Sequence, residues 1–261
     1  MKVVLFCGGQ GMRLRDYSDQ IPKPLVEIGQ RPILWHLMRY YAHFGHTEFI
    51  LCLGHGAHRI KEFFLRYDEW ATNDFVFSGG GQHVELLSTD IEDWKITFVD
   101  TGYDSNVGER LRRIQGHLGD DEVFLANYAD GLSNLPLDDY VDTFVQRDKI
   151  ACFLTVPVPH TFHIVHTNGG GEVTGLEPVA TSSVRINAGF FALRREIFDY
   201  MKPGEELVRE PFERLIKEQR LLAYPYDGFW RAMDTFKDKL ELDTIASTGL
   251  APWEVWRRQP V

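Results

Sequence analysis

The residues best suited to chemistry stand at the start of the chain, where a glycine-rich turn follows an apolar, strand-like run. The turn comprises Gly8, Gly9, Gln10, Gly11 and Met12. Because glycine has no Cβ, the backbone N–H groups of such a turn can close around a phosphate chain. Arg13 follows the turn and Lys23 stands between two prolines, and both supply positive charge. The spacing differs from the P-loop and from the dinucleotide fingerprint, and it predicts a nucleotide-phosphate site of another kind.

A carboxylate that can hold a metal follows a later apolar segment. Val123–Ala126 is typical of a short buried strand, and Asp130 comes soon after it, before Gly131. Open α/β sheets place ligands at the carboxyl ends of strands, and Mg²⁺ beside a triphosphate takes few protein carboxylates. Asp130 and Gly131 are equally typical of a simple turn, and Asp234 alone is typical of a helix N-cap. The nucleotide site at the N-terminus favours Mg²⁺ as the cofactor.

Alternating strand-like and helix-like patterns predict the elements that position these residues. The chain begins with a strand over Val3–Cys7, a helix over Ile33–Phe44, a strand over Glu48–Leu53 and a helix over Ile60–Tyr67. This order predicts an α/β fold with a mostly parallel central sheet and right-handed crossovers. Residues 75–99 interrupt the alternation, and we expect them to form a small β excursion that ends in a strand.

Length and composition limit the class of protein. The 261 residues, 44% of them hydrophobic, suffice for a single large domain over residues 1–261. A net charge of −10 argues against nucleic acid as a partner. No apolar run is long enough to span a bilayer and the N-terminus shows no signal-peptide pattern, so we expect no membrane partner. The three cysteines lie in apolar strand-like runs, which indicates buried thiols in a reducing cytoplasm.

The glycine-rich turn, Arg13 and the Pro-Lys-Pro segment together resemble the sugar-phosphate nucleotidyltransferases, with Met12 at the position of the usual threonine. Five further segments look like the glucose-1-phosphate cytidylyltransferase branch: Val26–Gly29, Pro32–His36, Val99–Gly102, Ile186–Phe191 and Ala251–Glu254. The resemblance runs from Met1 to about Trp256. It implies a Rossmann-like three-layer α/β/α nucleotidyltransferase fold. It also implies that CTP and a sugar 1-phosphate of the glucose type react to give a CDP-sugar and pyrophosphate.

The resemblance implies catalytic and metal-binding roles for four residues. Arg13 would contact the β- and γ-phosphates, and Lys23 would bridge the α-phosphate and the attacking phosphate. Phe229–Thr235 matches the motif that supplies the second metal-binding aspartate of the family. Asp130 and Asp234 would therefore share one Mg²⁺. A sugar 1-phosphate needs no protein base, so catalysis would consist of positioning and electrostatic stabilisation.

The remaining nucleotide and acceptor positions carry weaker signals. Tyr128 precedes the first aspartate and is assigned to the nucleotide, together with Arg110, which matches a family arginine near the nucleotide. A solvated helix charge is an equally good interpretation of Arg110. We expect a nucleotide half over about residues 1–130, an acceptor half over about 131–235 and a helical tail over 236–261.

The chain departs from the family in the acceptor half. Glu177 replaces the lysine that holds the sugar phosphate, and Thr161-Phe162-His163 replaces Arg-Phe-Gly. Arg185 or His163 is a candidate for the missing cation. The predicted acceptor-binding residues are Glu177, Arg185, Asn187, His163 and Trp230.

These departures leave alternatives open. One is a nucleotidyltransferase that uses another NTP or a modified or pseudo-sugar phosphate. Another is a degenerate homologue that binds a nucleotide sugar without turnover. Apolar residues in the excursion are compatible with a homo-oligomer or with folding back on the same chain.

Overall fold

A computed structural model describes residues 1–9, 21–158 and 162–257. The helices are α1 (Ile33–His43), α2 (Ala57–Leu65), α3 (Val107–Arg113), α4 (Leu137–Gln146), α5 (Glu210–Lys217) and α6 (Phe236–Ser247). The strands are β1 (Val3–Phe6), β2 (Glu27–Ile28), β3 (Arg31–Pro32), β4 (Glu48–Leu53), β5 (Phe75–Ser78), β6 (His83–Leu86), β7 (Lys95–Asp100), β8 (Val123–Asn127), β9 (Gly131–Ser133), β10 (Ala151–Pro157), β11 (His163–Thr167), β12 (Val173–Pro178), β13 (Arg185–Arg194), β14 (Leu221–Pro225) and β15 (Trp230–Ala232).

Within the described residues, seven strands form the central sheet, in the order β14-β10-β13-β8-β1-β4-β7. Strand β13 runs antiparallel to β8 and β10, and the other neighbouring pairs are parallel. This confirms the predicted α/β fold with a mostly parallel sheet. The carboxyl ends of β1, β4 and β8 lie side by side, so the residues that follow these strands meet at one edge of the sheet.

Side chains of the central strands alternate between two apolar cores. Val3 and Leu5 of β1 belong to one core, and Val4 and Phe6 belong to the other. The first core is covered by α1 and also includes Leu242 of α6. The second core is covered by α3 and α5. Helices therefore lie on both faces of the sheet, which confirms the three-layer α/β/α arrangement.

The described part of the chain also contains four two-stranded sheets outside the central sheet: β2 with β3, β5 with β6, β9 with β15, and β11 with β12. The β5–β6 hairpin is the predicted excursion, which leads into β7. The β9–β15 pair joins two segments that are about a hundred residues apart in the chain. Within the described residues, no helix has both the length and the apolar character needed to cross a membrane.

Candidate active site

The first two glycines of the predicted phosphate turn directly follow β1. A Cβ on Gly8 would lie 2.2 Å from Nη1 of Arg110, so only glycine fits at this position. Gly9 is exposed, and a Cβ there would meet no atom within 4 Å. Gln10, Gly11, Met12 and Arg13 lie outside the described residues. Their predicted phosphate contacts stay predictions.

Arg110 lies beneath this turn and not in a position open to the nucleotide. It is 4% exposed, and Nη2 donates to the carbonyl of Gly8 at 2.9 Å. Nη1 donates to the carbonyls of Leu53 at 3.0 Å and Gly102 at 2.9 Å, and to Oγ1 of Thr101 at 2.8 Å. The guanidinium thus joins the ends of β1, β4 and β7. This geometry corrects both interpretations of Arg110, as a solvated charge and as a direct nucleotide contact, because its donors already serve the protein.

Lys23 reaches the carboxyl edge of the sheet from a short 3₁₀ helix, Lys23–Leu25. The prolines on either side restrict the backbone here, and the N–H of Leu25 donates to the carbonyl of Pro22 at 2.8 Å. The side chain of Lys23 is only 14% exposed. Burial lowers the pKa of Lys23, but two neighbouring carboxylates more than offset this, and the pKa lies above its ordinary value. The ammonium therefore keeps its charge at neutral pH.

Asp130 and Asp234 are those two carboxylates. Nζ of Lys23 lies 2.7 Å from Oδ2 of Asp130 and 2.8 Å from Oδ1 of Asp234. Asp130 follows β8 and Asp234 follows β15, and the N–H of Met233 donates to the carbonyl of Asp130 at 2.9 Å. The long-range β9–β15 pair thus brings the two aspartates together. Burial raises the pKa of Asp130, and the Lys23 ammonium opposes this rise.

Asp234 does not cap the helix that follows it. Thr235 is the N-cap of α6, and its side chain and that of Asp238 form a capping box. The carboxylate of Asp238 also accepts from the N–H of Asp234 at 3.0 Å. The side chain of Asp234 is thereby left to point at Lys23, as required for a metal-binding role.

The donors at this position fit a divalent cation. Two carboxylate oxygens converge on one positive charge, which is at present the Lys23 ammonium. Hard oxygen ligands suit Mg²⁺, which usually keeps waters and substrate phosphate oxygens in its other positions. Across residues 1–9, 21–158 and 162–257, no group of three or more His, Cys, Asp and Glu side chains forms a metal-binding cluster. Waters and substrate phosphate oxygens would complete the coordination of Mg²⁺ at a two-carboxylate site.

Tyr128 contacts Asn187 of β13, and Trp230 contacts the same strand. Nδ2 of Asn187 donates to the hydroxyl of Tyr128 at 3.3 Å, and Nε1 of Trp230 donates to the carbonyl of Ala188 at 2.9 Å. Burial raises the pKa of Tyr128 to about 12, so its hydroxyl stays protonated. The structure places Tyr128, predicted to bind the nucleotide, against the residue predicted to bind the acceptor.

A cavity of about 520 Å³ adjoins Trp230 and opens between the end of β10 and the β11–β12 hairpin. Its lining includes His163, Pro178 and Arg231, together with apolar side chains such as Val156 and Phe162. His163 and Trp230 thus line one cavity, and their predicted contact with the acceptor stays a prediction. Arg231 was missed in the sequence, although its place beside Trp230 in the motif before Asp234 was a usable signal.

Glu177 lies on the other face of the β11–β12 hairpin. His163 pairs with Pro178 and Ile164 pairs with Glu177, and side chains of successive residues point to opposite faces. Oε2 of Glu177 lies 3.5 Å from Nε2 of His166. The register therefore puts Glu177 and His163, both predicted to bind the acceptor, on opposite faces of the hairpin.

Arg185 also differs from its predicted role. Nη1 donates to Oδ1 of Asp227 at 2.9 Å, and Nη2 donates to the carbonyls of Thr155 at 2.9 Å and Tyr226 at 2.7 Å. The guanidinium joins the ends of β10 and β14. It is engaged with the protein and is poorly placed to replace the missing lysine of the acceptor site.

Comparison with known proteins places this site in a family. The family model described as nucleotidyl transferase matches residues 2–244. A protein of Bacillus subtilis named "probable glucose-1-phosphate cytidylyltransferase" is 37% identical, over 98% of this chain and 100% of its own length. The glucose-1-phosphate cytidylyltransferase of Salmonella typhimurium is 35% identical, with the same coverage of both chains.

A solved structure agrees with the fold. The structure of UDP-glucose pyrophosphorylase complexed with UDP-glucose has a TM-score of 0.68 at 15% identity and covers 95% of this chain and 98% of its own. At that identity the likeness concerns the fold alone. The matched family model and the full-length relatives lead to one conclusion: this chain is an enzyme of the nucleotidyl transferase family.

Proposed function

We propose that the protein transfers a cytidylyl group from CTP to glucose 1-phosphate, with release of pyrophosphate and formation of CDP-glucose. The observation that carries the proposal is the convergence of Lys23, Asp130 and Asp234 at the edge of the sheet, next to the glycine turn. The full-length relatives named for this activity support the choice of CTP and glucose 1-phosphate.

The reaction needs charge stabilisation more than it needs a base. A phosphate oxygen of the sugar 1-phosphate forms a bond to the α-phosphorus of CTP, and the bond from that phosphorus to the β-phosphate oxygen breaks. Pyrophosphate leaves with the electron pair of that bond. The Lys23 ammonium is charged and lies at the carboxylates proposed to bind the metal, so it can stabilise the negative charge on the α-phosphate and the attacking phosphate. Arg13 would do the same for the leaving pyrophosphate.

Asp130 and Asp234 would hold Mg²⁺, which when bound would screen the phosphate charges and polarise the α-phosphate. Arg110 holds the carbonyl of Gly8 and so keeps the start of the phosphate turn in place. The acceptor would lie on the Trp230 side of the aspartates, in the cavity that also contains His163 and Arg231. A nucleotide half before residue 130 and an acceptor half after it remain part of this proposal.

The acceptor site favours a second candidate substrate class as well. Glu177 stands where the family has a cation, and Arg185 is bound to the protein. Among the described residues, the cavity lining carries His163, Asp227 and Arg231 beside apolar side chains, and the guanidinium of Arg231 also contacts Glu241. A sugar phosphate with fewer hydroxyls, or a pseudo-sugar phosphate, would suit this lining.

The test is an activity panel. The protein is incubated with each of the four NTPs, Mg²⁺ and a set of sugar 1-phosphates that includes glucose and deoxy sugars, and pyrophosphate release is followed. CTP with glucose 1-phosphate should give the highest kcat/KM. A preference for a deoxy or carbocyclic acceptor would select the second candidate. No pyrophosphate from any combination would contradict both and favour a degenerate nucleotide-sugar-binding protein.

Location and assembly complete the proposal. All three cysteines are buried and unpaired, which supports a reducing cytoplasm as the site of action.

The excursion exposes several apolar side chains, namely Phe75, Val76, Phe77, Val84 and Leu87. Such a patch is typical of an interface, and it supports a homo-oligomer. Light scattering of the protein and of a Phe77→Ser variant would test this, with a lower mass expected for the variant.

A further inference from the structure

The backbone takes an unusual conformation immediately before Asp130. Ala129 has a φ of 63°, in the left-handed region that side chains with a Cβ rarely adopt. The residue is completely buried, between β8 and the aspartate. Such backbone strain persists only where surrounding contacts stabilise it. The direction in which Asp130 leaves the sheet therefore depends on whatever holds Ala129 in this conformation.

The amide of Asn127 provides that contact. Oδ1 of Asn127 accepts from the N–H of Ala129 at 3.1 Å, two residues along the chain. Nδ2 donates to the hydroxyl of Tyr41 at 3.2 Å. Asn127 is 1% exposed, and its backbone pairs with Leu5 and Phe190 in the sheet. Both hydrogen-bond partners of the side-chain amide are thus buried, and water does not compete with them.

A second turn of the same kind lies on the neighbouring strand β13. Oδ1 of Asn187 accepts from the N–H of Gly189 at 2.8 Å, and Gly189 has a φ of 77°. The two turns are joined, because the N–H of Tyr128 donates to the carbonyl of Gly189 at 3.3 Å. In the β13 turn the left-handed residue is glycine, which adopts this conformation at little cost. In the β8 turn it is alanine, so the side-chain contact matters more.

We propose that Asn127 is a positioning residue, which holds Ala129 in the left-handed conformation and thereby directs Asp130 towards Lys23 and the bound metal. The inference rests on the proposed function in that Asp130 is taken as a metal ligand. Asn127 is buried and would act through the backbone of Ala129 and Asp130.

The test uses the rescue that glycine should provide. Asn127→Ala removes the contact to Ala129, and Mn²⁺ titration of the protein should show metal affinity lowered about tenfold, the cost of an unsupported left-handed alanine. The double variant Asn127→Ala/Ala129→Gly should regain most of that affinity, since glycine keeps the conformation without support. Ala129→Gly alone should bind Mn²⁺ nearly as the wild type does.

A matched control separates positioning from stability. Tyr41→Phe removes the other partner of the Asn127 amide but leaves the contact to Ala129 in place. It should lower the melting temperature without changing Mn²⁺ affinity. A folded Asn127→Ala protein with wild-type Mn²⁺ affinity, or a double variant that is no better than Asn127→Ala, overturns the inference.

Crystal structures of the same variants give a readout that does not depend on metal or activity. In Asn127→Ala, residue 129 should leave the left-handed region, and in the double variant it should return. A left-handed Ala129 in the Asn127→Ala structure overturns the inference. Wild-type protein that binds no divalent cation would instead contradict the proposed function, and the backbone of residue 129 would still decide the role of Asn127.

Discussion

The ammonium of Lys23 lies 2.7 Å from a carboxylate oxygen of Asp130, at the point where a metal-binding pair of carboxylates would hold its ion. Asp234 contacts the same nitrogen at 2.8 Å. The Lys23 ammonium thus occupies the position that the proposed mechanism gives to Mg²⁺. Binding of Mg²⁺ between the two aspartates must therefore compete with Lys23, and the displaced ammonium is then available to the phosphates.

Lys23→Met should have opposite effects on activity and metal affinity. Loss of a fixed charge on the transition state should lower kcat by roughly 10²–10³. Removal of the competing ammonium should strengthen Mn²⁺ binding to the substrate-free protein. Steady-state kinetics and Mn²⁺ titration measure the two effects. Lys95→Met, at an exposed lysine paired with Glu48, is the control and should change neither. Weaker Mn²⁺ binding in Lys23→Met would argue against competition.

Asp130→Asn and Asp234→Asn should each raise the Mg²⁺ concentration needed for half-maximal activity and lower kcat. Because the ligands of one ion act together, the double variant should lose little more than the more impaired single variant. Activity measured over a range of Mg²⁺ concentrations checks this. A loss of activity in the double variant equal to the product of the two single losses would count against a shared ion. Wild-type activity that persists when a chelator removes Mg²⁺ would count against it as well.

His163→Ala and Glu177→Lys should separate the two faces of the β11–β12 hairpin. His163 lines the cavity beside Trp230, so its loss should raise the KM for the sugar phosphate with little change in the KM for CTP. Glu177 lies on the opposite face next to His166, so Glu177→Lys should not improve the use of glucose 1-phosphate. The two KM values of each variant are the measurement. A clearly lower KM for glucose 1-phosphate in Glu177→Lys would show that the β11–β12 hairpin presents its Glu177 face to the substrate.

His36 should make stability depend on pH. It is 4% exposed and burial lowers its pKa to about 4. Its Nε2 faces the carbonyl of Ile28 and its Nδ1 accepts from Nε1 of Trp253, so the ring is held neutral. Arg31 and Arg257 also disfavour its charged form.

Because the pKa of His36 is lower in the folded state, the unfolded chain takes up the proton first as pH falls. The stabilising contribution is complete above the ordinary histidine pKa of about 6.5 and is lost as pH falls towards 4. Between pH 7 and pH 4 the loss should be about 3 kcal/mol. Urea unfolding at several pH values measures it, and His36→Gln should show a correspondingly flatter dependence. Equal slopes in both proteins would contradict the assignment.

The sequence alone determined the fold class and the identity of the central charged residues. Alternating apolar patterns are local, and they were enough to predict the parallel sheet and α1 to within a residue at its end. Gly8, Lys23, Asp130 and Asp234 were recognisable because their chemistry is expressed in short motifs. The resemblance to one family predicted that Asp130 and Asp234 lie together, and the structure added the contact of both with Lys23.

Tertiary structure alone decided where other charged side chains point. Arg110 and Arg185 are both arginines near the predicted site, but each donates hydrogen bonds to backbone carbonyls from distant strands. Glu177 and His163 were both predicted to bind the acceptor, and the pairing register of one hairpin puts them on opposite faces. The role proposed for Asn127 depends on the left-handed conformation of Ala129, which the sequence did not indicate. Burial, register and hydrogen-bond partners are set by contacts between residues far apart in the chain, and no local pattern specifies them.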